Sequence, residues 1–519
     1  MSKLNTLNVP FRMPKNRNIA EGHNLTVNWD VNPNLTFRSV TGYRKVDTSN
    51  AVYYTGYGSA GGPNAPYVIR GDSLPITFAN GPVPGIDGKN HPWIVYNESW
   101  SQEFQLLGDV SPNFKYTTGL YLSTEKGHQS QEQGIFYTVP DALFLSGLGP
   151  VGVDMFNLEN RKLSAKNSTW AVFGQFSWRP DILGRKLEIV PGIRYTRDRR
   201  QALGTNTRGA NYFYTATATP GVYNYLFNTP SPSGYTNVAG DNSFSKTTPT
   251  VSFNYHWKDD LMTYVKLAKG YVTGGFDDVQ PTAAAFAKGF DPETITSYEL
   301  GLKGEFLDRR LRVNGAAFWS EYKNEQKAVA HVGQIWAIEN VGTSKYRGIE
   351  LDVTAAVTDR FRVSGSATWL DHKYTQWIDQ DSSSPTYLQD VAKFRKLVVP
   401  KVSYSVNLDY RFPDLGLPGK LDANLNFAHK DAQSTPIDLS NPVSANNVTT
   451  PKYDVVNGRL SLSHIKVGPG GQGDLTVALW GRNLADKKYQ NFTLTNNSAT
   501  RVTGWSEPRT YGIDLIYNY

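Results

Sequence analysis

The chain has 519 residues, no cysteine, a formal charge of +7 and a mean hydropathy of -0.45. Without cysteine it holds neither a disulfide framework nor a thiolate metal site, and its Lys and Arg are scattered singly rather than gathered in a stripe, which speaks against a nucleic-acid partner. No window approaches the roughly 20 apolar residues of a transmembrane helix, whereas 30 Tyr, 12 Trp and 46 Gly suit a wall of strands with aromatic girdles.

In chain order, residues 1–23 show neither the apolar run nor the cleavage site of a signal peptide. They are expected as an extended segment, the remnant of an extracellular loop, ahead of a barrel over 24–519. Leu25, Val27 and Trp29, a turn at Asn32-Pro33-Asn34, then Leu35 and Phe37 make the first hairpin. Residues 46–100 lack a period and read as a long loop. Phe104, Leu106, Tyr116, Thr118, Leu120 and Leu122 give the next hairpin, with a loop of about forty residues expected after it. Trp170, Val172, Gly174, Phe176 and Trp178 alternate up to a turn near 180–186, followed by Leu187, Ile189 and Ile193, and a further loop is expected over 200–245. Val251, Phe253, Tyr255 and Trp257 turn at 258–260 into 261–271.

The clearest hairpin is 294–325. Tyr298, Leu300, Leu302 and Phe306 oppose Glu299, Lys303 and Glu305, and after the turn at Asp308-Arg309 the alternation resumes with Leu311, Val313 and Trp319. Hairpins at 326–369, 402–427 and 453–484 repeat the scheme. Each arm keeps its alternation for roughly ten residues, the length of a tilted strand that crosses a bilayer. About seventeen strands result, with short turns on one side and mostly long loops on the other, as in outer-membrane barrels. The last strand sets Tyr511, Ile513, Leu515, Tyr517 and Tyr519 on one face and ends on an aromatic residue. The fold class is therefore all-β, an antiparallel transmembrane barrel whose apolar face meets outer-membrane lipid.

Several local sequences resemble one family, the TonB-dependent receptors of Gram-negative outer membranes. They are YVKLAKGYVTGGF at 264–276, DPETITSYELGL at 291–302, the set Asn340, Gly342, Arg347, Gly348 and Glu350, GRNLADKKY at 481–489 and EPRTYG at 507–512. The terminal amphipathic strand is similar to the signal read by the outer-membrane assembly machinery. The resemblance implies a barrel of about 22 strands around an N-terminal plug, a small ligand such as a ferric siderophore captured by loops, and uptake driven by the TonB energy-coupling complex through that plug. Against that pattern the sequence starts without a coupling box or plug and is roughly five strands short. The expectation is an incomplete receptor barrel that does not transport actively by itself and has open edges at both ends. A passive porin-type channel is the alternative, and a soluble all-β carbohydrate enzyme or lectin is a third class.

No catalytic constellation or metal spacing emerges from the eight His and 46 carboxylates, and no cofactor is expected. FRMP at 11–14, His23 and NPNL at 32–35 are reminiscent of haem-uptake receptors. The loop at 273–294 that would lie between such motifs reads otherwise, and Asn-Pro-Asn suits turn chemistry. The ligand-binding candidates are loop aromatics, Tyr53, Tyr54, Tyr57, Tyr212 and Tyr214, which would stack on a siderophore or sugar. Arg199 and Arg200, with Arg197, join them as cations for an anionic ferric complex.

Overall fold

The computed structural model describes residues 17–50, 54–56, 68–71, 77–78, 93–139, 144–145, 149–150, 153–216, 222–229, 234–331, 335–380, 384–395, 399–436, 447–495 and 501–519. Seventeen long strands, numbered here in chain order, form one antiparallel sheet. They are β1 Arg17–Asn32, β2 Leu35–Asn50, β3 Trp93–Ser111, β4 Phe114–Val139, β5 Val153–Trp178, β6 Leu187–Ala216, β7 Gly234–Lys258, β8 Leu261–Val272 and β9 Glu293–Phe306. After these come β10 Leu311–His331, β11 Ile335–Ala356, β12 Phe361–Trp377, β13 Val402–Arg411, β14 Lys420–Lys430, β15 Tyr453–Val467, β16 Gly473–Arg482 and β17 Thr510–Asn518. One helix, α1 Ala283–Lys288, lies between β8 and β9.

The connections after odd-numbered strands are tight and gather at one rim. Asn32-Pro33-Asn34 closes the first of them, with the Asn34 N–H donating to the Asn32 side chain at 2.9 Å, so the Asn-Pro-Asn step does turn chemistry. The connections after even-numbered strands are mostly long and lie at the opposite rim. In outer-membrane barrels tight turns face the periplasm and long loops the outside.

Strand alternation sorts the side chains into two faces. Leu300 is 59% exposed and Ile513 66% exposed, beside Trp29, Trp170, Val172, Phe253 and Leu515 on the same outward face. Among the described residues no second sheet covers these side chains, which a soluble sandwich would require. The outward aromatics form two girdles. Trp29, Trp178, Trp257 and Tyr410 lie near the tight turns. Tyr43, Trp170, Tyr195, Tyr298, Trp319 and Trp369 each stand about eight residues from the tight-turn end of their strand, roughly 20 Å higher at 3.3 Å per residue and a 40° tilt. Rings of neighbouring strands meet there, Trp170 with Tyr195 at 5.5 Å and Tyr298 with Trp319 at 5.3 Å. Tyr511, Ile513, Leu515, Tyr517 and Tyr519, expected as an assembly signal, are all exposed.

Three expectations need correction. The loops expected after residue 124 and over 200–245 are largely strand, because β4 to β7 run far past the girdle and pair in register from Val153↔Val139 to Trp178↔Phe114. Outside the bilayer both faces of a ribbon are wet, so its sequence loses the apolar alternation that marks the membrane part. The expected boundary at 23/24 also moves, since Arg17 to His23 belong to β1 and pair with β2.

Among the described residues β1 bonds only to β2, and β17 only to β16. Both strands run from the long-loop rim to the tight-turn rim. An odd number of strands makes these two edges parallel, so they cannot close on each other through an antiparallel ladder.

Candidate functional site

Among the described residues few apolar side chains are buried, and the two clusters they form lie at the mouth, at the long-loop rim. The inward face of β6 carries Thr196, Asp198, Ala202 and Asn206, all buried, while Ile193, Arg197, Arg199 and Leu203 point outward. Against this inward face packs the segment 273–292. Its helix α1 was missed in the sequence although both ends are signalled. The Thr282 hydroxyl accepts from the Ala285 N–H at 3.1 Å, and Gly289 ends the helix at φ 67°. Phe286, fully buried, sits against Ala202 and Tyr235. A Cβ at Gly204 would overlap its ring, so glycine there makes the hole for this knob.

Two adjacent carboxylates descend with the segment. Asp277 accepts from the Ile338 N–H at 2.7 Å and from the Val279 N–H at 3.2 Å. Burial raises its pKa against those two donors. Asp278 is 3% exposed, its Oδ2 has no hydrogen-bond partner, and burial pushes its pKa up to about 6, opposed by Arg161. The Tyr235 hydroxyl donates to the Asp278 carbonyl at 3.1 Å, and Gln280 Nε2 donates to the Ile338 carbonyl at 3.0 Å.

Asn340, one of the motif residues, fastens the far end of the segment. Its Oδ1 accepts from the Asp291 N–H at 2.7 Å, and its Nδ2 donates to the carbonyls of Asp291 at 2.8 Å and Asn324 at 2.9 Å. Gln326 Nε2 adds bonds to the carbonyls of Thr273 and Asp291. Residues 384–395 fold back and pack Val391 against Val329, Val341, Tyr374 and Trp377. Arg395 lies 4.8 Å above the Trp377 ring, and burial lowers its pKa against the pull of Asp379. In the 481–489 motif, Asn483 Nδ2 donates to the carbonyls of Lys487 and Glu507, tying down the last long connection. Among the described residues no group of three His, Asp or Glu side chains is placed to hold a metal ion.

Of the residues expected to touch ligand, the two arginines face opposite sides of the wall. Arg199 faces outward, with two bonds to Asp241 at 2.7 and 3.1 Å. Arg200 faces inward beside Asp198 at 3.4 Å. Tyr212 and Tyr214 lie on the top of β6 and Tyr54 on a short strand at the same rim, with only their backbones described. Tyr53 and Tyr57 fall outside the described residues, as does FRMP at 11–14. His23 is on the outward face of β1, stacked on Tyr43 at 6.0 Å, and does not point into the lumen.

The family model described as "TonB dependent receptor-like, beta-barrel" matches residues 3–484. The chain belongs to this TonB-dependent receptor family. It is an outer-membrane β-barrel protein of the Gram-negative type. The metal-pseudopaline receptor CntO of Pseudomonas aeruginosa is 24% identical over 273 residues, 52% of this chain and 33% of that protein. The probable TonB-dependent siderophore receptor PiuA of Acinetobacter baumannii is 31% identical over 105 residues, 20% of this chain and 14% of that one. These matches span a third or less of the relatives' own lengths. In fold, the chain is similar to the ferric yersiniabactin uptake receptor FyuA of Yersinia pestis, with a TM-score of 0.52 at 14% identity over 97% of this chain and 79% of that one. The named relatives of this receptor wall are receptors for transport and not enzymes.

Proposed function

We propose that this chain forms the wall and outer mouth of a receptor that captures a metal chelate of the siderophore class for TonB-driven uptake. The observation that carries the reading is the segment 273–292, an ordered fold fastened to the lumen side of β6 and β7 by Phe286 and the Tyr235 hydroxyl, and to β11 by hydrogen bonds with Ile338 and Asn340. A capture site needs a shaped, polar surface at the mouth, and this segment supplies one. Relatives that carry siderophore or metal-chelate receptor names support the substrate class. Arg200, Tyr212 and Tyr214 stay as ligand candidates on β6, while the outward aim of Arg199 removes it. Gating and force transmission belong to a plug and a coupling segment, and the residues from Arg17 onward read as wall and loops.

The test is to reconstitute the chain in planar bilayers and titrate ferric catecholate, hydroxamate and carboxylate siderophores, with haem, cobalamin and oligosaccharides alongside. Saturable binding of one ferric chelate is expected. Steady ohmic conductance without saturable binding of any of them would instead favour the porin-type alternative.

A further inference from the structure

Above the upper aromatic girdle, the outward face of β4, β5 and β6 carries Lys126, Lys162, Lys166 and Arg197, all exposed and without a hydrogen-bonded or ion-pair partner among the described residues. Lys126 and Lys166 stand directly opposite each other in the ladder. Like charges so placed destabilise a sheet. Elsewhere at this height the chain supplies acids, pairing Lys345 with Glu321 at 3.4 Å and Arg347 with Asp371 at 2.7 Å. Among the described side chains, the carboxylates bordering the patch are Glu98, across from Lys126 and accepting from the Tyr96 hydroxyl, and Asp241, already held by Arg199. Lys126 stands about twelve residues from its tight turn, roughly 30 Å up, just beyond the apolar band of about 25 Å.

Directly below the cations, a groove of about 480 Å³ opens on the outward face between Trp100 and Trp170, floored by Leu122 and Thr124. Lower on the same strands a second groove of about 360 Å³ lies among Tyr116, Phe176 and Ile193, where Gly174 has no side chain. Cations, indoles and an apolar groove thus follow one another down the wall, in the order of an anionic head group, an interface and acyl chains. We propose that the outward strip of β3 to β6 docks a phosphate-bearing lipid of the outer leaflet. The phosphate lies across Lys126, Lys166 and Arg197, and the acyl chains run down between Trp100 and Trp170 and over Gly174. A lipid is the occupant because these cations face away from the lumen and the grooves lie at hydrocarbon depth, where a soluble anion does not dwell.

The experiment reconstitutes the full chain in vesicles of phosphatidylcholine mixed with phosphatidylglycerol or with phosphorylated lipid A, and counts retained lipids by native mass spectrometry after gentle extraction. Retention of the phosphorylated anionic lipid over phosphatidylcholine is expected, falling about fivefold for each cation removed in Lys126→Gln, Lys166→Gln and Arg197→Gln. The pair Lys323→Gln and Lys345→Gln on the other wall should leave it unchanged. Gly174→Leu fills the lower groove without touching a charge and should also lower retention, so it decides the matter if the charge variants do not fold. Equal retention of both lipid classes would overturn the proposal. So would displacement by millimolar inorganic phosphate with Gly174→Leu silent, the mark of a bare anion site.

Discussion

Strands β4 to β7, of 25 to 30 residues, and strands β13 to β17, of 9 to 15, cross the same membrane. A strand of ten residues rises roughly 25 Å at the usual tilt, the height of the apolar band, while one of 26 rises about 65 Å. The short strands therefore stop at the girdle and the tall ones project about 40 Å beyond it. The membrane dictates the pattern of only the first ten or so residues from each tight turn. The projecting ribbons answer to other forces: the inward fold of 273–292, cross-strand hydrogen bonds and the lipid surface below them.

The contrast breaks most sharply at Phe286. Phe286→Ala empties a fully enclosed site and should cost about 3–5 kcal/mol of the docking of 273–292. Hydrogen exchange should show that segment losing protection while β13 to β17 keep theirs, and uniform loosening of both regions would mean the segment is not a separate unit. Next in size, Leu300→Arg places a cation against mid-membrane lipid and should cost roughly 2–4 kcal/mol. Ala239→Arg, outward on the projecting part of β7 and opposite Leu203, should stay within about 0.5 kcal/mol. Denaturant titration in lipid vesicles compares the two, and equal costs would refute the assignment of membrane and projecting zones.

The same division explains what was legible in the sequence. Wherever one face meets lipid and the other water, as in 298–306 and 311–319, alternation gives both strand and facing, and the strand count follows. Residues 125–131 and 161–169 stand above the girdle with an exposed, polar outward face that carries Lys126, His128, Lys162 and Ser164, so no apolar lipid face marks them as strand and they read as loop. Asn340 and Asn483 were legible as motif members, but their role was not, because each binds backbone carbonyls distant in sequence. The buried pair Asp277-Asp278 was likewise hidden. Acids in a Gly-rich stretch read as solvated, and only α1, with Thr282 and Gly289 at its ends, announced that the stretch folds.

Asp278 makes docking of that segment depend on pH. Its carboxyl titrates near 4 when exposed and at about 6 when docked, so the docked state favours the protonated acid. Docking is fully supported below about pH 4 and loses on the order of 2–3 kcal/mol as pH rises through 6. Arg161 opposes this trend, and Asp277 and, through it, Glu339 work with it. Hydrogen exchange of 273–292 should quicken between about pH 4 and 6 beyond its intrinsic rise. Asp278→Asn should abolish the excess, whereas the unaltered excess in that variant would assign it to another group.

The smallest effect separates the two regions most finely. Asn340→Ala removes two hydrogen bonds to Asp291 at the edge of 273–292 and one to Asn324 of β10, and because water reaches this edge the loss should be only about 1–2 kcal/mol. Asn483→Ala removes the corresponding tie on the last long connection, 483–509. The two sites share no partner, so their effects should add in the double variant. Each single variant should speed exchange in its own connection alone. If Asn340→Ala loosened 483–509 as well, the mouth would be one cooperative collar, and the tall and short halves of the wall would not be independent above the membrane.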